Sequence, residues 1–343
     1  MATVTLADVA RAAGVSRSTA SRALSGSSLI SLETRAAVQD AARALGYRVN
    51  RAASALRSNR SHLIGLVMNN LINQTFHTIA EVVQRRAAEA GFQVILCITD
   101  ADPHREREVL GMLADHGVDG AIVMGTGRNR SEIGVLREHG CAVVHLIRSV
   151  AGSDAMTVLA DDVAGARAAT EHLLGLGHRR IGFIGGPLEA DSGRERFKGY
   201  ADTLADAGVG GLDELVRRGP LTAEFGSEAA ASLLAVDPPM TALYAANHEA
   251  TFGILPTLAE LGVAIPDALS LICHEDMRWL ALWRPGLTVV DNGAGELGAI
   301  AVDLLLNQIR NPSADGGRTY RVGPRLIERD SCRRIDRIDG GPG

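Results

Sequence analysis

Lysine is nearly missing from this sequence: among 343 residues only Lys198 carries an ammonium group, and arginine supplies the rest of the positive charge. Cysteine is almost as sparse. Cys97, Cys141, Cys273 and Cys332 lie far apart with no CxxC or CxxH spacing, which excludes a disulfide framework or a zinc knuckle and suits a reducing cytoplasm. Nowhere do roughly 18 apolar residues run uninterrupted, so no membrane-spanning helix is expected. The stretch MATVTLADVARAAGVS contains Asp8 and no long apolar centre, so it does not read as a secretory leader. No nucleophile elbow, P-loop or metal-ligating constellation occurs, and the expectation is a non-enzyme with no catalytic residue, metal or cofactor. Gly182 to Gly186 is glycine-rich like a dinucleotide cradle, but no GxGxxG opens a helix there and Pro187 follows directly, so that reading is rejected. His178 has no Cys or Asp at ligand spacing, so a structural hydrogen bond is expected of it rather than chemistry.

What the chain does contain is an uneven distribution of charge. Residues 1 to 60 hold nine arginines against Asp8, Glu33 and Asp40, a net of +6, within a chain whose overall charge is −5. The remainder carries 26 basic and 37 acidic side chains, a net of −11. A basic head on an acidic body is the electrostatic footprint of a nucleic-acid-binding protein. Hydrophobic residues at 46% and charged ones at 22% are those of a folded chain, and the length suits a small domain followed by a two-lobed one.

Helical periodicity organises the head. Thr5 with Asp8 gives a capping-box-like start, and Leu6, Val9, Ala10 and Ala13 recur at helical spacing until Gly14. Ser16 caps a second helix, with Ala20, Ala23 and Leu24 as its buried stripe and Gly26 as its stop; so tight a connection predicts a helix-turn-helix. A third helix, capped by Ser31, is predicted over about residues 32 to 45, with Gly46 beyond it. Residues 50 to 60 have too few apolar side chains for a core and read as a linker able to form a short helix when held. From Leu63 apolar runs alternate with amphipathic stretches: LIGLVM, QVILCIT, GAIVM, CAVVHLI, RIGFIGG, TALYAA and LSLIC. That alternation predicts parallel sheets covered on both faces, too many strands for one sheet, and ligand binding at the strands' carboxyl ends.

The head motif TLADVARAAGVSRSTASRALSG, followed by LETRAAVQDAARALGYRVN, the hinge RAASALRS and the strand IGLVM, resembles the lactose-repressor (LacI/GalR) family of bacterial regulators. The likeness continues through DPHREREVLGMLADHGVDGAIV, GHRRIGFIGG, GRERFKGY and PGLTVV, and so spans nearly the whole chain. It implies an α/β protein with an all-helical head at 1–49, a hinge at 50–60 and a periplasmic-binding-protein-like sensor in which three strands cross between lobes. The first lobe is expected over 61–160 with a return at 292–323, the second over 161–291, and a tail over 324–343. The implied function is cytoplasmic, homodimeric repression at a palindromic operator, controlled by a small hydroxylated effector, sugar or sugar acid, with a purine-like effector as alternative. A solute-binding receptor or an enzyme with a DNA-binding head are the competing classes, and the arginine-rich head argues against the first.

The same resemblance assigns roles to residues. Arg17, Ser18 and Arg22 match base-reading positions, and Ser16, Thr19, Ser21 and Ser25 suit phosphate oxygens. In the hinge, Asn50, Ala53 and Leu56 match the pattern of a minor-groove wedge, with Arg57 beside it, while Val49 stands where proline is usual. For the effector it implies Asn73, Phe76, Arg148, Arg196, Leu221, His248 and Glu275. Arg196 is expected to clamp two ligand oxygens. Four places depart from the family pattern: NQTF at 73 to 76 for NPFF, Leu221 for an aromatic, His248 for the Asp of AAND, and Glu275 for the first Asp of GFDD.

Overall fold

A computed structural model describes residues 4–24, 29–47, 60–210, 213–312 and 316–335. The chain divides into two compact units, residues 1–62 and 63–343. In the first, helices α1 (Leu6–Ala12), α2 (Arg17–Leu24) and α3 (Leu32–Ala44) surround a small core of Val9, Ala10, Ala20, Ala23, Val38 and Ala42. Small residues dominate because three short helices must approach closely to bury anything. The Thr5 N–H and hydroxyl both donate to the Asp8 carboxylate, at 3.0 and 2.7 Å, and so fix the start of α1. Gly14 ends it at φ +65°, where the Val15 N–H reaches back to the Ala10 carbonyl at 3.0 Å. Ser31 caps α3 by accepting from the Thr34 N–H.

The second unit holds two six-stranded sheets. The first contains β1 (Leu63–Met68), β2 (Gln93–Ile98), β3 (Gly120–Val123), β4 (Ala142–Leu146), β5 (Met156–Ala160) and β11 (Thr319–Val322), in the order β11-β5-β4-β3-β1-β2. The second contains β6 (Ile181–Gly185), β7 (Val216–Arg218), β8 (Ala242–Ala245), β9 (Ser270–His274), β10 (Thr288–Asp291) and β12 (Arg325–Ile327), in the order β12-β10-β9-β8-β6-β7. Every pairing is parallel except β10 with β12. The chain passes between sheets after β5, after β10 and after β11. Residues from 324, expected as a tail, include β12 and a following segment in which the Ser331 carbonyl accepts from Leu271 N–H on β9 at 2.9 Å.

Helices α4 (Gln74–Glu89), α5 (Pro103–Asp115), α6 (Arg130–Glu138) and α11 (Ala294–Arg310) cover the first sheet. Helices α7 (Asp162–Gly175), α8 (Asp191–Asp206), α9 (Ala223–Leu234) and α10 (His248–Glu260) cover the second. Although α11 follows β10, its Leu297, Ala301, Val302 and Leu305 pack into the first sheet's core with Ile64, Leu66 and Val144. Buried strands with apolar residues on both faces explain why the sequence shows continuous runs rather than alternation.

Candidate functional site

Helix α2 turns a polar face to solvent and an alanine face to the core. Ala20 and Ala23 are fully buried, whereas Arg17, Ser18 and Arg22 are exposed and Thr19 and Ser21 half-buried. Ser16 caps the helix: its Oγ accepts from Thr19 N–H at 3.1 Å and lies 2.8 Å from the hydroxyls of Ser18 and Thr19. The cap that starts the helix therefore also gathers the hydroxyls of Ser18, assigned to a base, and Thr19, assigned to phosphate. Ser25, Asn50, Ala53, Leu56 and Arg57 lie outside the described residues.

In the second unit, six of the seven residues assigned to the effector line one narrow cavity of about 80 Å³ between the two sheets: Asn73, Phe76, Arg148, Arg196, Leu221 and Glu275. The topology explains the gathering. Asn73 follows β1, Arg148 follows β4, Asp162 follows β5, Asn247 follows β8, Glu275 follows β9 and Asn292 follows β10, so the cavity collects the carboxyl ends of strands from both sheets. Two of these loops are strained. Ile147 at φ +67° and Glu275 at φ +74° occupy the left-handed region, unusual for a β-branched and for a long side chain, and such strain persists where surrounding structure imposes it.

Arg196 is not free to clamp a ligand in the way expected of it. Its Nε donates to Asp162 Oδ1 at 2.7 Å, Nη1 to the Ala246 carbonyl at 2.8 Å and Nη2 to Glu275 Oε1 at 3.1 Å. Burial would lower its pKa, but Asp162 and Glu275 more than offset this and hold it raised. The guanidinium is chiefly an internal strut, with part of its donor set left for the cavity.

His248 differs more sharply from expectation. It is absent from the cavity wall and only 2% exposed, lying behind Glu275. Its Nδ1 is 2.6 Å from Glu275 Oε2, a charge contact outside hydrogen-bond angles, and its Nε2 is 3.0 Å from Glu249 Oε1. Burial alone would lower the imidazole's pKa; the Glu275 carboxylate, aided by Glu249, turns the net shift upward. Glu275 in turn is held well below the usual carboxylate range: burial opposes this, and His248 and then Arg196 overcome it. His248, its pKa raised by that contact, therefore stands against the back of Glu275 rather than facing the cavity.

Three residues of this network escaped the sequence reading. Asp162 lies under Arg196, with its Oδ1 3.4 Å from His274 Nε2, and the Tyr244 hydroxyl is 2.6 Å from His274 Nδ1. Burial and then Arg196 push the His274 pKa down, so the ring is neutral and bridges phenol to carboxylate. A histidine at the end of an apolar run and an Asp-Asp pair at a strand's carboxyl end were the available signals. His178 behaves as expected, with Nδ1 2.9 Å from Thr241 Oγ1 and Nε2 3.1 Å from the Arg333 carbonyl.

The remaining cavity groups are mostly uncommitted. Asn73 Oδ1 accepts from Thr75 N–H and Asn247 Oδ1 from Ala250 N–H, which leaves both amide NH2 groups without a partner among the described residues. Ser192 and Asn292 have no side-chain partner among those residues either. The lobes touch across the cleft through Thr75 Oγ1 to Glu275 Oε2 at 3.2 Å, Ser149 to Asp191 at 3.0 Å, and a bidentate Arg321–Glu195 pair at 2.9 Å.

Among the described residues no helix is long and apolar enough to cross a membrane, and no group of His, Cys, Asp and Glu is placed to hold a metal. Comparison with known proteins places these features together. Residues 170–332 match the periplasmic binding protein-like domain, and residues 5–50 match the bacterial regulatory proteins of the lacI family. The HTH-type transcriptional repressor PurR of Photorhabdus laumondii is 30% identical over 329 residues, covering 95% of this chain and 96% of that protein. A transcriptional regulator CelR–cellobiose complex superposes with a TM-score of 0.73 at 29% identity, over 96% of this chain and 99% of its own. A lac repressor dimer bound to operator and the anti-inducer ONPF shares the fold at a TM-score of 0.83 and 24% identity, over 97% and 100% of the two chains. These relatives are transcription regulators rather than enzymes, and the chain belongs to the LacI family of DNA-binding bacterial transcriptional repressors.

Proposed function

We propose that this chain acts in the cytoplasm as a homodimer on a palindromic operator, and that a small polyhydroxylated ligand, sugar or sugar acid, held between the lobes sets its grip on DNA. The observation that carries the ligand class is the ring of uncommitted polar groups. Asn73, Arg148, Ser192, Asn247 and Asn292 offer donors from both lobes, whereas Phe76 is the single aromatic residue lining the cavity among the described residues. Hydroxyls satisfy scattered donors and acceptors, whereas a flat base draws its affinity from stacking faces. The cellobiose complex of the CelR regulator agrees with that class.

Support for the homodimer comes from an exposed apolar patch on the second lobe. Phe252, Leu282 and Trp283 are 44%, 74% and 37% exposed, and Phe252 stacks on Trp279 at 5.1 Å. Aromatic residues are enriched at subunit interfaces, and a two-fold dimer suits a palindrome. The test is fluorescence anisotropy on the gene's upstream region, with matched sugars, sugar acids and purine bases added, alongside sedimentation velocity. The reading predicts a dimer whose operator affinity changes with a sugar or sugar acid. A response only to purine bases would overturn the ligand class, and a monomer on DNA would overturn the assembly.

A further inference from the structure

Two of the four positions at which the sequence departs from its family's pattern, His248 and Glu275, touch each other. Glu275 lines the cavity, whereas His248 is buried behind it and absent from the cavity wall. Arg196 holds Glu275 Oε1 at 3.1 Å, but Oε2 has only the long Thr75 hydroxyl bond of 3.2 Å and His248 Nδ1 at 2.6 Å. The place of Oε2 therefore rests on the imidazole.

Charge decides what the imidazole does there. Asp162 and Glu275 are both buried and share the Arg196 guanidinium, so one carboxylate is in excess. An unmatched buried charge is costly, and the imidazolium of His248 is placed to match it. Neighbouring groups are otherwise engaged. His274 touches Asp162 rather than Glu275, and burial, then Arg196, push its pKa down. Arg148 interacts with Asp191 and Glu106, and Asp276 is paired with Arg329. Arg278 on the turn after β9, and Glu224 and Glu228 on α9, are exposed. Glu249, the next residue on α10, lies 3.0 Å from His248 Nε2 and favours a charged ring. Burial works against that charge, but Glu275 and then Glu249 outweigh it and hold the His248 pKa raised, with Arg196 opposing. When the ring is neutral the excess falls on Glu275, because its 3.1 Å bond to Arg196 is longer than the 2.7 Å bond of Asp162. A carboxylate at a cavity wall relieves such an excess by turning to water.

We infer that His248 is a positioning residue of the ligand site: its imidazolium holds Glu275 Oε2 in the cavity wall, where that oxygen accepts a hydroxyl of the ligand. This rests on the cleft being the site of a polyhydroxylated ligand. Protonation of His248 and ligand binding then favour each other. Affinity is highest below the folded pKa, which lies above the ordinary value of 6.5, and falls as pH rises through it.

Isothermal titration calorimetry on the full chain between about pH 6 and pH 9, with cellobiose, ribose and gluconate as probes, tests this. A probe that binds should do so about fivefold or more tightly at pH 6 than at pH 9, within the limit of about tenfold per pH unit set by one proton. His248→Asn keeps a neutral amide near Nδ1 but no charge, and should bind at every pH with the parent's pH 9 affinity. Glu249→Gln should move the parent's profile to lower pH. In a Glu275→Gln background, His248→Asn should change affinity by less than about twofold, because its target is gone. If His248→Asn does not fold, the parent and Glu249→Gln profiles decide alone. A flat parent profile, an unmoved Glu249→Gln profile, or a His248→Asn chain that keeps the parent's dependence would overturn the role of His248 and leave the cleft standing. Binding by none of the probes would overturn the ligand class, and this inference with it.

Discussion

Replacing Glu275 with Gln probes the network at its centre, because this carboxylate touches Arg196 at 3.1 Å, His248 at 2.6 Å and the Thr75 hydroxyl at 3.2 Å. The amide keeps the shape and loses the charge. At an effective dielectric of about 20, a unit pair some 3 Å apart attracts by about 5 kcal/mol, against which the desolvation of both ions must be set. Removing one partner of a buried pair typically destabilises by about 3–5 kcal/mol, because the other charge is left uncompensated. Arg196 keeps Asp162, and His248 can release its proton, so the lower end, about 3 kcal/mol, is expected.

The dependence on pH distinguishes this account from ordinary loss of packing. In the parent, His248 has a folded pKa above its unfolded value of about 6.5, so its contribution is fully present below that pH and fades as pH rises through the folded pKa. Glu275→Gln removes the main upward influence and leaves only Glu249. The deficit should therefore be largest near pH 6 and smaller at pH 9. Urea unfolding of the full chain across that range, followed by tyrosine and tryptophan fluorescence, measures it. A deficit below about 1 kcal/mol, or one unchanged between those pH values, would show that the His248–Glu275 contact is not an ion pair.

Further changes test other parts. Arg17→Ala or Arg22→Ala should cost about 1–3 kcal/mol on the cognate operator and less on random DNA; equal losses in an anisotropy titration would contradict base reading by α2. Gly253→Ala should destabilise by about 1–3 kcal/mol, since a Cβ there meets the Ala223 carbonyl where α9 and α10 cross closely, and an unchanged urea midpoint would refute that close packing. Arg321→Met removes a half-exposed pair and should change stability by less than about 1 kcal/mol, yet widen the ligand-free cleft. An unchanged radius of gyration in solution scattering would show that this pair does not hold the lobes together.

Local rules made the head readable. Its helix starts at Thr5, Ser16 and Ser31 are caps, and its stops at Gly14 and Gly46 are positive-φ glycines, so these boundaries rest on residues whose chemistry is short-range; the stop expected at Gly26 lies outside the described residues. Of the seven strands that read as apolar runs, β1, β3, β4, β6, β8 and β9 are central and buried, whereas β2 is an edge strand marked by its apolar composition alone; β5 and β10, also central, have apolar runs too short to stand out. The peripheral β7, β11 and β12 were not readable: they are three or four residues long and largely half-buried or exposed, so neither composition nor period marks them. Residues carried over from the resemblance do meet at one cavity, because strand ends are fixed by the topology. Which of them face the cavity was not readable. Asp162 passed as an ordinary acidic residue of a helix's first turn, and only the close approach of β5, α8 and β9 shows that it neutralises Arg196. His248 was read as facing the ligand because the sequence cannot show that Glu275, one methylene longer than Asp, stands in front of it.

The same geometry limits how a ligand can change the lobes. A ligand shifts an equilibrium between open and closed cleft only by its difference in affinity for the two. Glu275 Oε2 already accepts from Thr75 across the cleft, so a ligand hydroxyl that takes this oxygen exchanges one lobe-bridging bond for another and gains little closure. Ser149–Asp191 and Arg321–Glu195 do not involve cavity-lining residues, so a ligand there makes no direct exchange with them. The differential must therefore come from donors left uncommitted among the described residues: those of Asn73 and Arg148 on the first lobe, and of Ser192, Asn247 and Asn292 on the second. A ligand bridging Arg148 to the asparagines of the opposite lobe makes bonds available only when both lobes are near. Such a ligand favours closure in proportion to the bonds it makes on both sides at once, so its contacts to these uncommitted donors, more than those to the largely engaged Arg196, govern lobe movement.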